Sequence, residues 1–222
     1  MAKRKQTADP VKILFIGNSF TARNDFPGLL ARLAEARGLT VEHQLISAGG
    51  ASLRAHWNAG TATEAIQKTH FDFVVLQEQS TLPIKNATRM HENIRLFDEA
   101  IKAAGSRTVL YLTWARRHAP ESQEVLTEAY FSIGSALNAL VVPVGLAWQS
   151  VLAQADHPVL HDKDDSHPTV AGSFLAACVF LGTLFGENPT GIALEIAGIE
   201  PKTMQMLEKA AWKASKSKTA IR

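Results

Sequence analysis

Five short runs of apolar, β-favouring residues are separated along the chain by longer segments of helical period, and this strict alternation limits the fold more than any other feature. The runs are KILFIG (12–17), TVEHQLIS (40–47), FDFVVLQ (71–77), RTVLYLTW (107–114) and LVVPVG (140–145). Between them the periodicity predicts helices over 27–37, 53–69, 87–104 and 121–139, with Gly38 and Gly105 standing just past the ends of the first and third. Neighbouring parallel strands need a crossover of a dozen or more residues, which an intervening helix supplies. Strand and helix in alternation therefore give an α/β fold, a parallel sheet with helices on both faces. The stretches ILFI and FVVL are apolar at every position, as strands covered on both faces require. A fifth long helix is expected over 169–185, then a turn and short helix in 186–200, and a last helix from 201.

A chain of 222 residues suits one such domain over 1–222, with residues 1–10 expected as a tail and 190–222 as a C-terminal helical extension. The charge of +2, from 23 basic and 21 acidic residues, is too small to argue for nucleic acid or an anionic membrane as partner. Much of the positive charge lies in the terminal runs MAKRK and KAAWKASKSKTAIR, which read as solvated ends. No stretch reaches the roughly 18 apolar residues of a membrane span. The N-terminus passes from MAKRK straight into polar QTADP without the apolar core of a signal peptide, so a cytoplasmic location is expected. One cysteine, Cys178, lies in the apolar FLAACVFLGTLF and reads as a small core residue.

Open parallel sheets bind ligands outside the carboxyl ends of their strands, so strand-end residues carry the functional argument. After the first strand comes Gly17-Asn18-Ser19; after the second, SAGGAS with Gly49 and Gly50; after the third, Gln77-Glu78-Gln79-Ser80. With strand order 2-1-3-4-5 these three loops lie side by side. A serine at neutral pH needs a base within hydrogen-bond reach and a third group to orient that base. The spacing D-x-x-H in DDSHP supplies both from one loop, as Asp164 and His167, with Asp164 favoured over Asp165 on spacing. Donors for a developing oxyanion are available from the backbone N–H groups of Ser19 and Gly50 and from the side-chain amide of Gln79.

Together these blocks resemble the SGNH (GDSL-like) hydrolases, a superfamily of esterases, lipases and deacetylases with a three-layer α/β/α, flavodoxin-like fold. FIGNSFT is similar to the nucleophile block, GGAS to the block whose glycine precedes x-Ser or x-Thr, and DDSHP to the closing D-x-x-H-P. The resemblance implies a five-stranded parallel sheet of order 2-1-3-4-5, with Ser19 as nucleophile, His167 as base and Asp164 as its partner. Two blocks depart from the usual pattern. Asn18 stands where aspartate is usual, and the third block reads QEQS in place of G-x-N-D, so either Gln79 or, as second choice, Gln77 takes the place of the oxyanion asparagine. IGNSFT with LQEQS and HPTVAGSFLAACVF is similar to a particular branch of the superfamily.

The expected activity is hydrolysis of a small-molecule ester, with a short, acetyl-like acyl group, through an acyl-enzyme and with no cofactor. Asn18, His56, Trp114 and Arg116 are the candidate substrate contacts; Trp57 and Arg117 stand beside them in LRAHW and TWARRHAP. The alternative is a catalytically impaired binding protein on the same scaffold, holding a small acylated or carbohydrate ligand. A metal set of His161, Asp162, Asp165 and His167 is suggested by the density of HDKDDSH, but Pro158 prevents His157 and His161 from forming a helical pair, and no metal is expected. No G-x-S-x-G elbow, dinucleotide fingerprint or phosphate loop occurs.

Overall fold

The computed structural model describes residues 9–217. The tail expected over 1–10 falls almost wholly outside these residues, as does the end of the C-terminal extension. The elements are β1 (Val11–Gly17), α1 (Ser19–Ala22), α2 (Phe26–Glu35), β2 (Val41–Ser47), α3 (Leu53–Ala59), α4 (Thr61–Lys68), β3 (Phe73–Leu76), α5 (Leu82–Lys85), α6 (Ala87–Ala103), β4 (Arg107–Tyr111), α7 (Ser122–Leu137), β5 (Leu140–Val142), α8 (Val144–Leu152), α9 (Val170–Phe185) and α10 (Pro201–Ser215). A 3₁₀ turn, Arg23–Asp25, joins α1 to α2. The strands form one parallel sheet of order β2-β1-β3-β4-β5, as the sequence leads one to expect.

Two cores sit on the two faces of this sheet, and the alternation of side chains along each strand feeds both. Ile13, Phe15, Phe73, Val75, Val109 and Tyr111 point to the side covered by α2, α8, α9 and α10. Leu14, Ile16, Val74, Leu76 and Leu110 point to the side covered by α3, α4, α6 and α7. Every residue of α9 from Gly172 to Gly182 is buried, because α9 is enclosed by α2, α8 and α10. An all-round apolar helix is stable only when covered in this way. Cys178 lies in that run, fully buried, and burial pushes its thiol well above the usual range.

Several boundaries differ from the sequence expectation for local reasons. The helix expected over 53–69 is two helices, because Gly60 at φ 80° takes a left-handed turn between α3 and α4. The strand expected over 140–145 stops at Val142: Pro143 has no N–H for the ladder and opens α8 instead. Residues 186–200 form turns and irregular chain without the expected short helix. The chain leaves β1 not into an open turn but into the single-turn helix α1, which starts at Ser19 itself.

Candidate active site

Gly17 closes β1 where backbone and side chains crowd together: a Cβ there would lie 2.6 Å from Gln77 Oε1 and 2.8 Å from Thr21 Oγ1. Asn18 then caps α1, its Oδ1 accepting the Phe20 N–H at 3.0 Å. Its own N–H donates to Gln77 Oε1 at 2.8 Å and its Nδ2 to the Ala51 carbonyl at 3.1 Å. Thr21 Oγ1 donates to the same Gln77 oxygen at 3.0 Å. From the other side, His56 Nε2 donates to the Gly17 carbonyl at 2.7 Å. Asn18 and His56 are 2% and 6% exposed, so both hold the backbone beneath Ser19 rather than the solvent-facing positions expected of substrate contacts.

His167 comes from the far end of the chain. The segment before α9 doubles back as a short antiparallel excursion: His161 bridges Pro168, Asp162 N–H donates to the His167 carbonyl at 2.8 Å, and Thr169 N–H to the Leu160 carbonyl at 2.8 Å. This brings His167 Nε2 to 2.7 Å from Ser19 Oγ. The other ring nitrogen, Nδ1, donates to Asp164 Oδ2 in a short hydrogen bond. Asp164 Oδ1 also accepts the backbone N–H groups of His167 at 2.9 Å and Ser166 at 3.1 Å. The His167 N–H first, then its ring, hold this carboxyl well below the usual carboxylate range. Serine, imidazole and carboxylate thus form one continuous relay, the arrangement that lets a hydroxyl lose its proton as it attacks.

Residues that the sequence reading passed over tie the two segments together. Asn24, at φ 56°, donates through Nδ2 to the Pro168 carbonyl at 3.1 Å and to Ser173 Oγ at 2.9 Å. A non-glycine residue in this region is uncommon, and here the left-handed turn aims the amide at the histidine loop. Arg23 pairs with Asp162 at 2.7 Å and lies 4.0 Å from Asp164. Trp114 donates through Nε1 to the Ser166 carbonyl at 2.9 Å, and its ring lies in a stack between Phe20 (centroids 4.9 Å apart) and Trp148 (3.9 Å). Phe20 meets the His167 ring edge-on at 5.3 Å. Trp114 is therefore a buried wall behind the imidazole, and Arg116 lies on its Trp148 side, with the cavity described below.

The two glutamines of the third block do different things. Gln77 is fully buried; its oxygen accepts from Asn18 and Thr21, and its Nε2 donates to the Glu78 carbonyl in a short bond. Gln79 is partly exposed, and its Oε1 accepts from Thr81 N–H at 2.9 Å, Thr81 Oγ1 at 3.0 Å and Leu82 N–H at 2.9 Å. Three donors on one oxygen fix which way the amide faces, and leave Nε2 without an acceptor among the described residues. Gly50, exposed at φ 67°, keeps its N–H clear in the Ala48–Ala51 turn. Between these loops Glu78 is buried, accepting from Leu53 N–H at 2.9 Å, Gln79 N–H at 2.7 Å and Asn93 Nδ2 at 2.9 Å. Burial pushes its carboxyl up, against the pull of those donors. A charge two residues past an apolar strand is the signal that could have marked Glu78; nothing in the sequence points to its link between the Gly50 and Gln79 loops.

The four residues suggested as metal ligands have separate partners. His161 Nε2 donates to the Ala115 carbonyl at 2.9 Å, Asp162 pairs with Arg23, Asp165 pairs with Arg117 at 3.0 Å, and His167 faces Ser19. Among the described residues no group of three or more His, Cys, Asp or Glu side chains converges as a metal site, and no helix is long and apolar enough to cross a membrane.

Comparison with solved structures decides the family. A protein from Slackia heliotrinireducens assigned as an SGNH hydrolase shares 32% identity, with 79% of this chain and 100% of that chain covered and a TM-score of 0.70. The chain belongs to the SGNH-hydrolase family. Two further comparisons are more distant and bear on fold alone. A DUF4886 family protein from Bacteroides uniformis is 20% identical over 93% of this chain and 95% of that one, with a TM-score of 0.77. An acetyl-xylooligosaccharide esterase from Geobacillus stearothermophilus is 20% identical over 80% and 95%, with a TM-score of 0.63. No protein-family model and no curated protein matches the chain.

Proposed function

We propose that this SGNH hydrolase is a serine esterase that releases a short acyl group through an acyl-enzyme, and that it belongs to the branch marked by Gly-Asn-Ser and Gln-Glu-Gln-Ser. The observation that carries the reading is the 2.7 Å contact between Ser19 Oγ and His167 Nε2, with the second ring nitrogen bonded to Asp164. As Ser19 Oγ bonds to the ester carbonyl carbon, its proton passes to His167 Nε2. Asp164, held ionised by its hydrogen bonds, stabilises the imidazolium that results. The carbonyl oxygen takes the negative charge and is met by the N–H groups of Ser19 and Gly50 and by Gln79 Nε2. Each such donor is worth about 3 kcal/mol in the transition state.

Collapse breaks the bond to the alcohol oxygen, which takes the proton from His167. Water then attacks the acyl carbon, gives its proton to the same nitrogen, and the carboxylic acid departs as Ser19 regains its hydrogen. The longer arm of glutamine is tolerated at the third position because Thr81 and Leu82 hold its oxygen, so that its nitrogen is presented from a fixed support. Acetate is the proposed acyl group, as the name of the fold-related acetyl-xylooligosaccharide esterase suggests.

A fluorophosphonate is expected to label one residue, Ser19, in the wild type and none in Ser19→Ala. Nitrophenyl esters of graded length are expected to react fastest as the acetate. A folded wild type that takes no label and cleaves none of the esters would transfer the chain to the binding-protein reading.

A further inference from the structure

Beyond Trp114, on the side of Trp148, lies a cavity of about 560 Å³. Small-molecule sites typically enclose roughly 300–1,000 Å³. Its apolar wall is built from Trp114, Trp148, Leu152, Val159 and Leu160, and Arg116 stands on its lining; Ser19, Asp164 and His167 do not line it. The cavity is therefore a different place from the candidate active site, separated from Phe20 by the thickness of one indole ring.

The charge of this lining is unbalanced. The Arg116 side chain makes no ion pair or hydrogen bond with any described residue, and its Nε is cut off from solvent. Neighbouring Arg117 is already paired with Asp165 at 3.0 Å. His161 adds no second charge: burial favours its neutral form, and its Nε2 donates to the Ala115 carbonyl. No acidic side chain lines the cavity. Trp148 is fully buried, and its Nε1 is a second donor with no acceptor.

A guanidinium nitrogen cut off from water with no acceptor is unfavourable, and a buried indole N–H with no acceptor adds to that. Both groups are donors only, so what completes them must bring acceptor oxygens and negative charge. One planar guanidinium matches one carboxylate, and the aliphatic and aromatic walls match an apolar tail; a phosphate dianion would meet one unpaired cation in a mostly apolar chamber. We propose that this cavity is a second binding site, for a small monocarboxylate with an apolar tail, recognised by Arg116 and Trp148 and seated against Leu152, Val159 and Leu160.

Calorimetric titration with hexanoate, hexanol and hexylamine tests this on the wild type, Ser19→Ala, Arg116→Met and Leu152→Trp. Hexanoate is expected to bind once per chain, with Ser19→Ala binding as the wild type does. Arg116→Met is expected to weaken it about tenfold or more, and Leu152→Trp, which fills part of the chamber, to weaken it independently of charge. Arg116→Met is expected to fold, since it removes an unpaired cation and leaves no orphaned partner. Hexanol or hexylamine binding as tightly as hexanoate, hexanoate binding undiminished in both Arg116→Met and Leu152→Trp, or no binding to the wild type, would each overturn the proposal.

Discussion

The turn that carries Ser19 is fixed from below by neutral, buried hydrogen bonds, whereas the loop that carries His167 is fixed from outside largely by charge. Beneath Ser19, Gln77 and Asn18 are 2% exposed or less and hold the turn through uncharged amide groups, Gln77 Oε1 accepting the Asn18 N–H. Around His167, Asp162 and Asp165 are anchored by Arg23 and Arg117, whose side chains are 40% and 54% exposed. Buried neutral bonds ignore salt; half-exposed ion pairs are screened by it. The difference implies that the hydroxyl is preset by the sheet while the imidazole is brought to it by an adjustable strap, with Asn24 and Trp114 as its uncharged stays.

Removing either end of the relay tests whether the two regions act as one unit, and should give the largest effect. Ser19→Ala and His167→Ala are each expected to lower kcat/KM on nitrophenyl acetate by about 10⁴-fold or more, and the double variant by little further. Multiplying losses in the double variant would show that the two segments contribute separately. Next comes Asp164→Asn, which keeps the shape but not the charge of the strap, with an expected loss of up to about 10⁴-fold. The same carboxyl sits below its ordinary range in the folded protein, so it stabilises the fold above the unfolded-chain value and stops doing so as pH falls through the depressed one. Thermal melts of wild type and Asp164→Asn should therefore converge in strong acid; a gap that stays constant with pH would assign the loss to something other than charge.

Beneath the serine, Gln77→Leu strands the Asn18 N–H and the Thr21 hydroxyl, and urea unfolding should register about 2 to 4 kcal/mol lost, the same at low and high salt. The smallest effect is assigned to the strap's exterior. Arg23→Ala should cost about 1 kcal/mol or less, and that difference should fade in about 1 M salt. A salt-independent loss on Arg23→Ala, or a salt-dependent one on Gln77→Leu, would erase the contrast between the two regions.

The same contrast explains what could be read from the sequence. Strands such as ILFI and FVVL declare themselves because burial on both faces demands an apolar residue at every position, and the sheet order follows from their spacing by helices. Asp164 and His167 are legible as a pair because the hydrogen bonds joining them span three residues, a distance over which spacing alone fixes geometry. Bonds between distant segments leave no such trace. Asn24 to Pro168, Arg23 to Asp162 and His56 to Gly17 join residues 144, 139 and 39 positions apart, so their side chains look like ordinary surface or helix residues until the fold closes. The sequence leaves the choice between Gln77 and Gln79 open for a related reason: their different surroundings, Asn18 and Thr21 around one and Thr81 and Leu82 around the other, arise only once the chain is folded.

The stacked indoles of Trp114 and Trp148, 3.9 Å apart and with planes 2° from parallel, have an optical consequence. Chromophores this near to one another share their electronic excitation, so the protein carries a coupled pair whose near-ultraviolet circular dichroism depends on the separation and tilt of the two rings. The Trp114 ring is hydrogen-bonded to the segment bearing His167, and both rings line the neighbouring chamber. Displacement of either partner would thus be visible as a change in signal, with no label attached.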